Sequence, residues 1–165
     1  MKIRKGFVTN SSSSNFILGF KSEDTIKDEL ENSFPVGYKS YLEQLLSDLF
    51  NNKSILSKEE CLRWIYDYFY GYHKWEEGLE AAKRKCQGED NQWEKIIEHL
   101  NSAECEEEIK KITESDSRYL KAINRVNENN YFMQVSYEDH SYVGDLMEHT
   151  IMPEVGNVVF RQSCH

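Results

Sequence analysis

Tyr131-Phe132-Met133-Gln134-Val135-Ser136-Tyr137 and, a turn and a short helix later, Val158-Val159-Phe160-Arg161 decide how this chain is read. Both are β-branched or aromatic runs bounded by polar turns, the pattern of strands. Between them, Tyr142 to about Ile151 has helical character, so residues 130–165 read as strand, helix, strand. At the other end, Phe7-Val8 and Phe16-Ile17-Leu18-Gly19-Phe20 are short apolar runs of strand character. Thr9 to Asn15 between them is rich in side chains that bond locally to the backbone and favour turns. The first twenty residues therefore read as strand, serine-rich loop, strand.

From Ser22 to about residue 128 the apolar period is helical. Ser22 caps a helix carrying Ile26 and Leu30, and Pro35 and Gly37 break it. Ser40-x-x-Glu43 and Ser57-x-x-Glu60 match capping boxes for two further helices. The second of these carries Ile65, Phe69 and Tyr72, with Trp64, Tyr66, Tyr70 and Trp75 around them, and reads as the apolar heart of the chain. Gly71 and Gly78 mark a bend in it or a close helix contact. Trp93, Ile96, Ile97 and Leu100 make a fourth stripe, and Leu120, Ile123 and Val126 a last one. Glu104 to Glu108 is the densest acidic run, read as a solvated helix face through its i,i+4 partners Lys110 and Lys111. His73 and His99 read as surface or boundary histidines. The expected architecture is α+β and a single domain over residues 1–165. About five helices form a layer on a small, mostly antiparallel sheet built from the N- and C-terminal strands.

At 165 residues the chain is long enough to bury a sizeable core, and 39% hydrophobic content excludes a disordered protein. A net charge of −9 repels a phosphate backbone, so no direct nucleic-acid partner is expected. Cys61, Cys86, Cys105 and Cys164 are scattered, without a Cys-x-x-Cys pair, which favours reduced thiols and a cytoplasmic setting. Lys2, Arg4 and Lys5 imitate a signal-peptide start, but the serine run interrupts the apolar stretch that should follow. No run is long enough to span a membrane.

Gly6-Phe7-Val8-Thr9-Asn10-Ser11-Ser12-Ser13-Ser14-Asn15-Phe16 resembles a leader found on small uncharacterised proteins of Gram-positive bacteria and their phages, with Asn15 where a further serine is usual. The likeness covers about a tenth of the chain. It implies a bacterial or phage setting and carries no activity with it. The same segment could offer an anion cradle of backbone N–H groups and hydroxyls, although it lacks the glycines and the Gly-Lys-Ser/Thr ending of a phosphate loop.

Chemistry concentrates at the C-terminal end, where three of the five histidines fall. Asp145, Glu148 and His149 stand at i, i+3 and i+4, on one helix face. Asp-x-x-Glu-His is similar to the His-x-x-Glu-His pattern of inverted zinc peptidases, with an aspartate in place of the first metal-binding histidine. A divalent metal (zinc, manganese or iron) could be held by Asp145, His149 and either His140 or His165, with Cys164 a further donor. Glu148 would act as base on a bound water. The plainer alternative makes Asp139 a cap, His140 and His165 solvent-facing, and Glu148 and His149 a solvated face with Leu146 and Met147 turned inward. No Gly-x-Ser-x-Gly elbow or cysteine signature points to a nucleophile. Pairing of the two terminal segments would bring the serine-rich loop near this cluster. Three functions follow: a protein-interaction or regulatory module, a metal-dependent hydrolase, or an inhibitor that imitates nucleic acid with residues 104–108.

Overall fold

The computed structural model describes residues 13–52, 54–88, 91–138 and 141–164. The chain is α+β, and by contact it divides into two compact units. One combines the chain up to Leu56 with the chain from Asn129 onward; the other is Ser57–Glu128. The expected strand at Phe7-Val8 and the anion cradle as far as Ser12 lie outside the described residues.

The first unit is built on an antiparallel sheet of four strands: β1 (Ser13–Phe20), β2 (Ile55–Leu56), β3 (Tyr131–Glu138) and β4 (Val158–Cys164). Their order is β2-β3-β1-β4. β1 is thus held between the two C-terminal strands, from Ser13↔Glu138 to Phe20↔Tyr131 on one side and from Ser13↔Cys164 to Leu18↔Val158 on the other. A register shift between Ile17 and Leu18 interrupts the second pairing. The sheet from both chain ends is as expected. β3 and β4 are not neighbours, however, because β1 separates them. Ser13, Ser14 and Asn15 also belong to β1 and not to a loop: a strand paired on both edges satisfies its backbone better than local hydroxyl turns do.

Side chains alternate across β1, and Phe16, Leu18 and Phe20 share one face. They join Met133, Val135 and Tyr137 of β3 in the main core, to which Met147, Ile151 and Met152 and two earlier helices also contribute. The two helices are α1 (Ile26–Ser33), through Ile26 and Leu30, and α2 (Leu42–Asn52), through Leu42, Leu45 and Leu49. Ser22 caps the short 3₁₀ turn Glu23–Thr25 that leads into α1. The capping box expected at Ser40 is displaced: a 3₁₀ turn over Val36–Tyr41 contains Ser40, and α2 starts at Leu42. The Tyr137 hydroxyl donates to Asp48 Oδ2 at 2.8 Å, tying β3 to α2.

The Ser57–Glu128 unit is helical: α3 (Lys58–His73), α4 (Leu79–Lys85), α5 (Gln92–Leu100), α6 (Ala103–Ser115) and α7 (Ser117–Asn127). Ser57 caps α3 as expected, accepting from Glu60 N–H while its own N–H donates to the Glu60 carboxylate at 2.7 Å. A π turn over Lys74–Gly78 joins α3 to α4. A Cβ added at Gly78 would lie 3.2 Å from Leu100 and 3.3 Å from Ile109, so this glycine permits the close helix contact read from the sequence. The inward stripe of α3 is Cys61, Ile65, Phe69 and His73; Tyr72 is exposed. Burial pushes the Cys61 thiol up to about 12, so it packs as a neutral, inert group.

His73 is therefore a core residue and not the surface or boundary histidine expected. Its Nε2 lies 3.0 Å from Asp116 Oδ2. Asp116 caps α7 by accepting the Arg118 N–H at 2.7 Å, and the Arg118 guanidinium grips the same carboxylate, with one nitrogen at 2.7 Å. That grip, joined by the backbone bond and His73, holds the Asp116 carboxyl well below its usual range. An ionised Asp116 makes His73 Nε2 the donor. Arg118 then covers the Tyr72 ring, 4.9 Å from its centroid. One carboxylate thus joins the end of α3 to the start of α7.

Asp116→Ala should lower stability by about 2 kcal/mol, from a lost cap and an unpaired buried histidine. A depressed carboxylate stabilises fully above its unfolded pKa, near 4, and that contribution is lost as pH falls toward the folded value. The gap between wild type and Asp116→Asn in urea unfolding should therefore be widest near about pH 6 and shrink below about pH 4. A gap unchanged across that range would contradict the arrangement.

Candidate functional site

The helix bearing the sequence-derived site opens at Tyr142, four positions after the end of β3. Ser141 caps α8 (Tyr142–Leu146) by accepting the Gly144 N–H at 3.0 Å. A Cβ at position 144 would stand 2.0 Å from the Glu138 carbonyl oxygen, so only glycine lets α8 start this close to the strand. A π turn, Met147–Ile151, continues the helix. Gly144, Met147, Glu148, Ile151 and Met152 form its buried stripe, with spacings of three and four.

Glu148 consequently sits inside the fold, 0% exposed, where the plainer sequence reading made it part of a solvated face. Its neighbours on that expected face part company with it: Asp145 and His149 are exposed. Met147 is turned inward as expected, while Leu146 is only half-buried. Residue type misled the reading; the spacing of Met147, Ile151 and Met152 already placed position 148 between inward residues.

A carboxylate buried this deeply needs countercharge and hydrogen bonds. Ser14 Oγ, also 0% exposed, donates to Glu148 Oε1 at 2.8 Å. Ser14 in turn accepts from the Arg161 guanidinium of β4, at 3.2 Å from its terminal nitrogen and 3.4 Å from Nε. Arg161 also stands 3.9 Å from Glu148 Oε1 and covers the Phe16 ring at 5.4 Å. Serine works here because one hydroxyl can donate to an anion and accept from a cation at once. Glu148 Oε2 is buried and has no hydrogen-bond partner among the described residues. His149 Nε2 is 3.9 Å from Glu148 Oε1 and 3.8 Å from Asp145 Oδ1, close enough for charge attraction but too far for hydrogen bonds.

The terminal segments do bring Ser14 to the Asp145–Glu148–His149 cluster. His140 and His165 lie outside the described residues, as does the Cys164 side chain. Among the described residues no group of three or more His, Cys, Asp or Glu side chains is placed to hold a metal ion. The metal reading therefore depends on His140 and His165. A fully buried Ser14 hydroxyl cannot meet a substrate carbonyl, so the Ser14–Glu148 contact is a structural bond and not a nucleophile with its base. Sequence reasoning missed Ser14 and Arg161, since only strand register places them opposite Glu148.

No protein-family model matches the chain, and neither does any curated protein or solved structure. Among the described residues no helix is long and apolar enough to cross a membrane.

Ser14→Ala should cost about 1–3 kcal/mol in urea unfolding, because it strips a buried carboxylate of its donor. Adding Glu148→Leu should restore much of that loss, since an apolar pair leaves no buried charge unmet. An unaffected Ser14→Ala variant, or a double variant weaker than the single one, would contradict the arrangement.

Proposed function

We propose that this chain is a protein-interaction module that binds a basic partner through apolar and acidic residues of its helical unit. The carrying observation is α5. Of its apolar stripe only Ile96 is buried, whereas Trp93 is 60% and Ile97 48% exposed. In the sequence all four read as one apolar helix stripe, with nothing to say how much of it is covered. Trp93 and Ile97, one turn apart, face outward beside the exposed Glu94 and Glu98. Exposed tryptophan next to isoleucine is the composition of an interface anchor. The net charge of −9 favours a partner that surrounds its apolar contact with lysine and arginine.

The leader resemblance supports a bacterial or phage setting for this module, and the buried free thiols of Cys61, Cys86 and Cys105 support a reducing cytoplasm. A second reading, imitation of nucleic acid, is favoured by α6, which exposes Glu104, Glu106, Glu107 and Glu108. Displacement of a bound partner by duplex DNA would separate the two readings. The metal-dependent hydrolase gains no support from the described residues.

Random-peptide display selected on the immobilised protein should enrich peptides with an apolar anchor flanked by Lys or Arg. The Trp93→Ser/Ile97→Ser variant should lose that enrichment by more than about tenfold, equivalent to about 1.4 kcal/mol. No enrichment, or enrichment that survives the double variant, would contradict the reading.

A further inference from the structure

α3 and α6 pack side by side and leave an open groove of about 540 Å³ on the surface of the helical unit. From α3 it is lined by Tyr66, Asp67 and Tyr70, and from α6 by Glu106, Glu107 and Lys110. Tyr66 and Tyr70, one turn apart, stack with ring centroids 5.8 Å apart and planes inclined by 22°. The Tyr119 ring meets Tyr66 edge-on at 6.2 Å, which fixes the pair from behind. Both stacked tyrosines are half-buried, so part of each ring remains open to the groove.

Charge in the groove is one-sided, with three carboxylates against one ammonium. Glu107 also reaches along its own helix to Lys111 at 3.7 Å, a long and exposed pair that a ligand can displace. The negative field reaches the rings. Burial first, and then Glu114, Asp67 and Glu107, push the Tyr66 phenol up; burial and Glu106 do the same to Tyr70. The carboxylates' share of that push is the part that also favours a cation, since burial alone disfavours charge of either sign.

We propose that this groove is a receptor for the guanidinium of an arginine in a basic peptide segment. The stacked tyrosines offer aromatic surface, and Glu106, Glu107 and Asp67 offer oxygen acceptors along its edge. A planar guanidinium uses both, stacking through its face and donating through its fork, whereas a lysine ammonium is a compact, strongly hydrated point charge. The carboxylates are exposed, so the attraction weakens with salt.

This proposal rests on the reading of the chain as an interaction module, but it uses a different surface from Trp93 and Ile97. The test is titration of the full chain with a synthetic Arg-Gly-Gly repeat peptide, followed by calorimetry and by NMR of the tyrosine rings. Parallel titrations use the same peptide with every arginine replaced by lysine, or by citrulline, its uncharged isostere. Arginine should bind several-fold more tightly than lysine and at least tenfold more tightly than citrulline, with shifts at the Tyr66 and Tyr70 rings. Glu106→Gln/Glu107→Gln, two exposed substitutions that leave the core intact, should weaken arginine binding at least fivefold. Tyr70→Ala should do the same, with its circular dichroism checked against wild type.

Trp93→Ser/Ile97→Ser should bind the arginine peptide as wild type does. Equal binding of the citrulline peptide, ring signals that do not move, or an unaffected Glu106→Gln/Glu107→Gln variant would overturn the groove. If these fail while display enrichment at α5 persists, the groove alone is wrong. If the arginine peptide binds and α5 enriches nothing, the α5 interface fails and the groove stands.

Discussion

Everything in the sheet unit depends on β1 lying between β3 and β4. That placement joins residues more than a hundred positions apart, such as Ile17 and Gln134. Closing so long a loop costs on the order of 4 kcal/mol plus a constant, by the logarithmic law. The strand offsets this with its own side chains. Phe16, Ile17, Leu18 and Phe20 are each 0–1% exposed, and each contributes roughly 1.5–3 kcal/mol on burial. A β1 of ordinary half-buried alternation would bury half as much and leave little margin over the closure cost.

The same placement explains the buried polar group. Ser14 shares a face with Phe16, and Arg161 is the register partner of Phe16 on β4. Pairing therefore delivers a hydroxyl and a guanidinium to one point, onto which the helix after β3 lowers Glu148. The three residues come from β1, from the π turn after α8 and from β4, so their contact reports correct assembly of both chain ends. Asp116 plays the corresponding part in the helical unit, where one carboxylate caps α7, holds His73 and orients Arg118. In both units a buried carboxylate fixes geometry, and the surfaces proposed for recognition, on α5 and in the α3–α6 groove, do not use it.

The α+β class, the terminal sheet, the cap at Ser57 and the strand at residues 131–137 were all legible, because periodicity and capping chemistry are local signals. What escaped the sequence depended on helix phase and on contacts distant along the chain. Both readings of Glu148, as the base of an open metal site and as part of a solvated face, followed its residue type. Met147, Ile151 and Met152 phase the helix the other way. His73 looked like a boundary residue because its partner, Asp116, lies 43 positions away. The exposure of Trp93 and Ile97 could not be read either, because an apolar stripe alone does not say how much of it meets a neighbour. The two-residue strand β2 is too short to leave a pattern at all.

Native-state hydrogen exchange of the backbone amides tests the central claim most directly. If β1 is the inner strand that holds both chain ends, Phe16, Ile17 and Leu18 should exchange in the slowest class of the sheet unit. Denaturant should then affect them as it affects global unfolding, with Ile55 and Leu56 of the short edge strand far faster. Rapid exchange at Phe16 to Leu18 while β3 stays protected would mean that β1 is only loosely attached, and the account would fail with it.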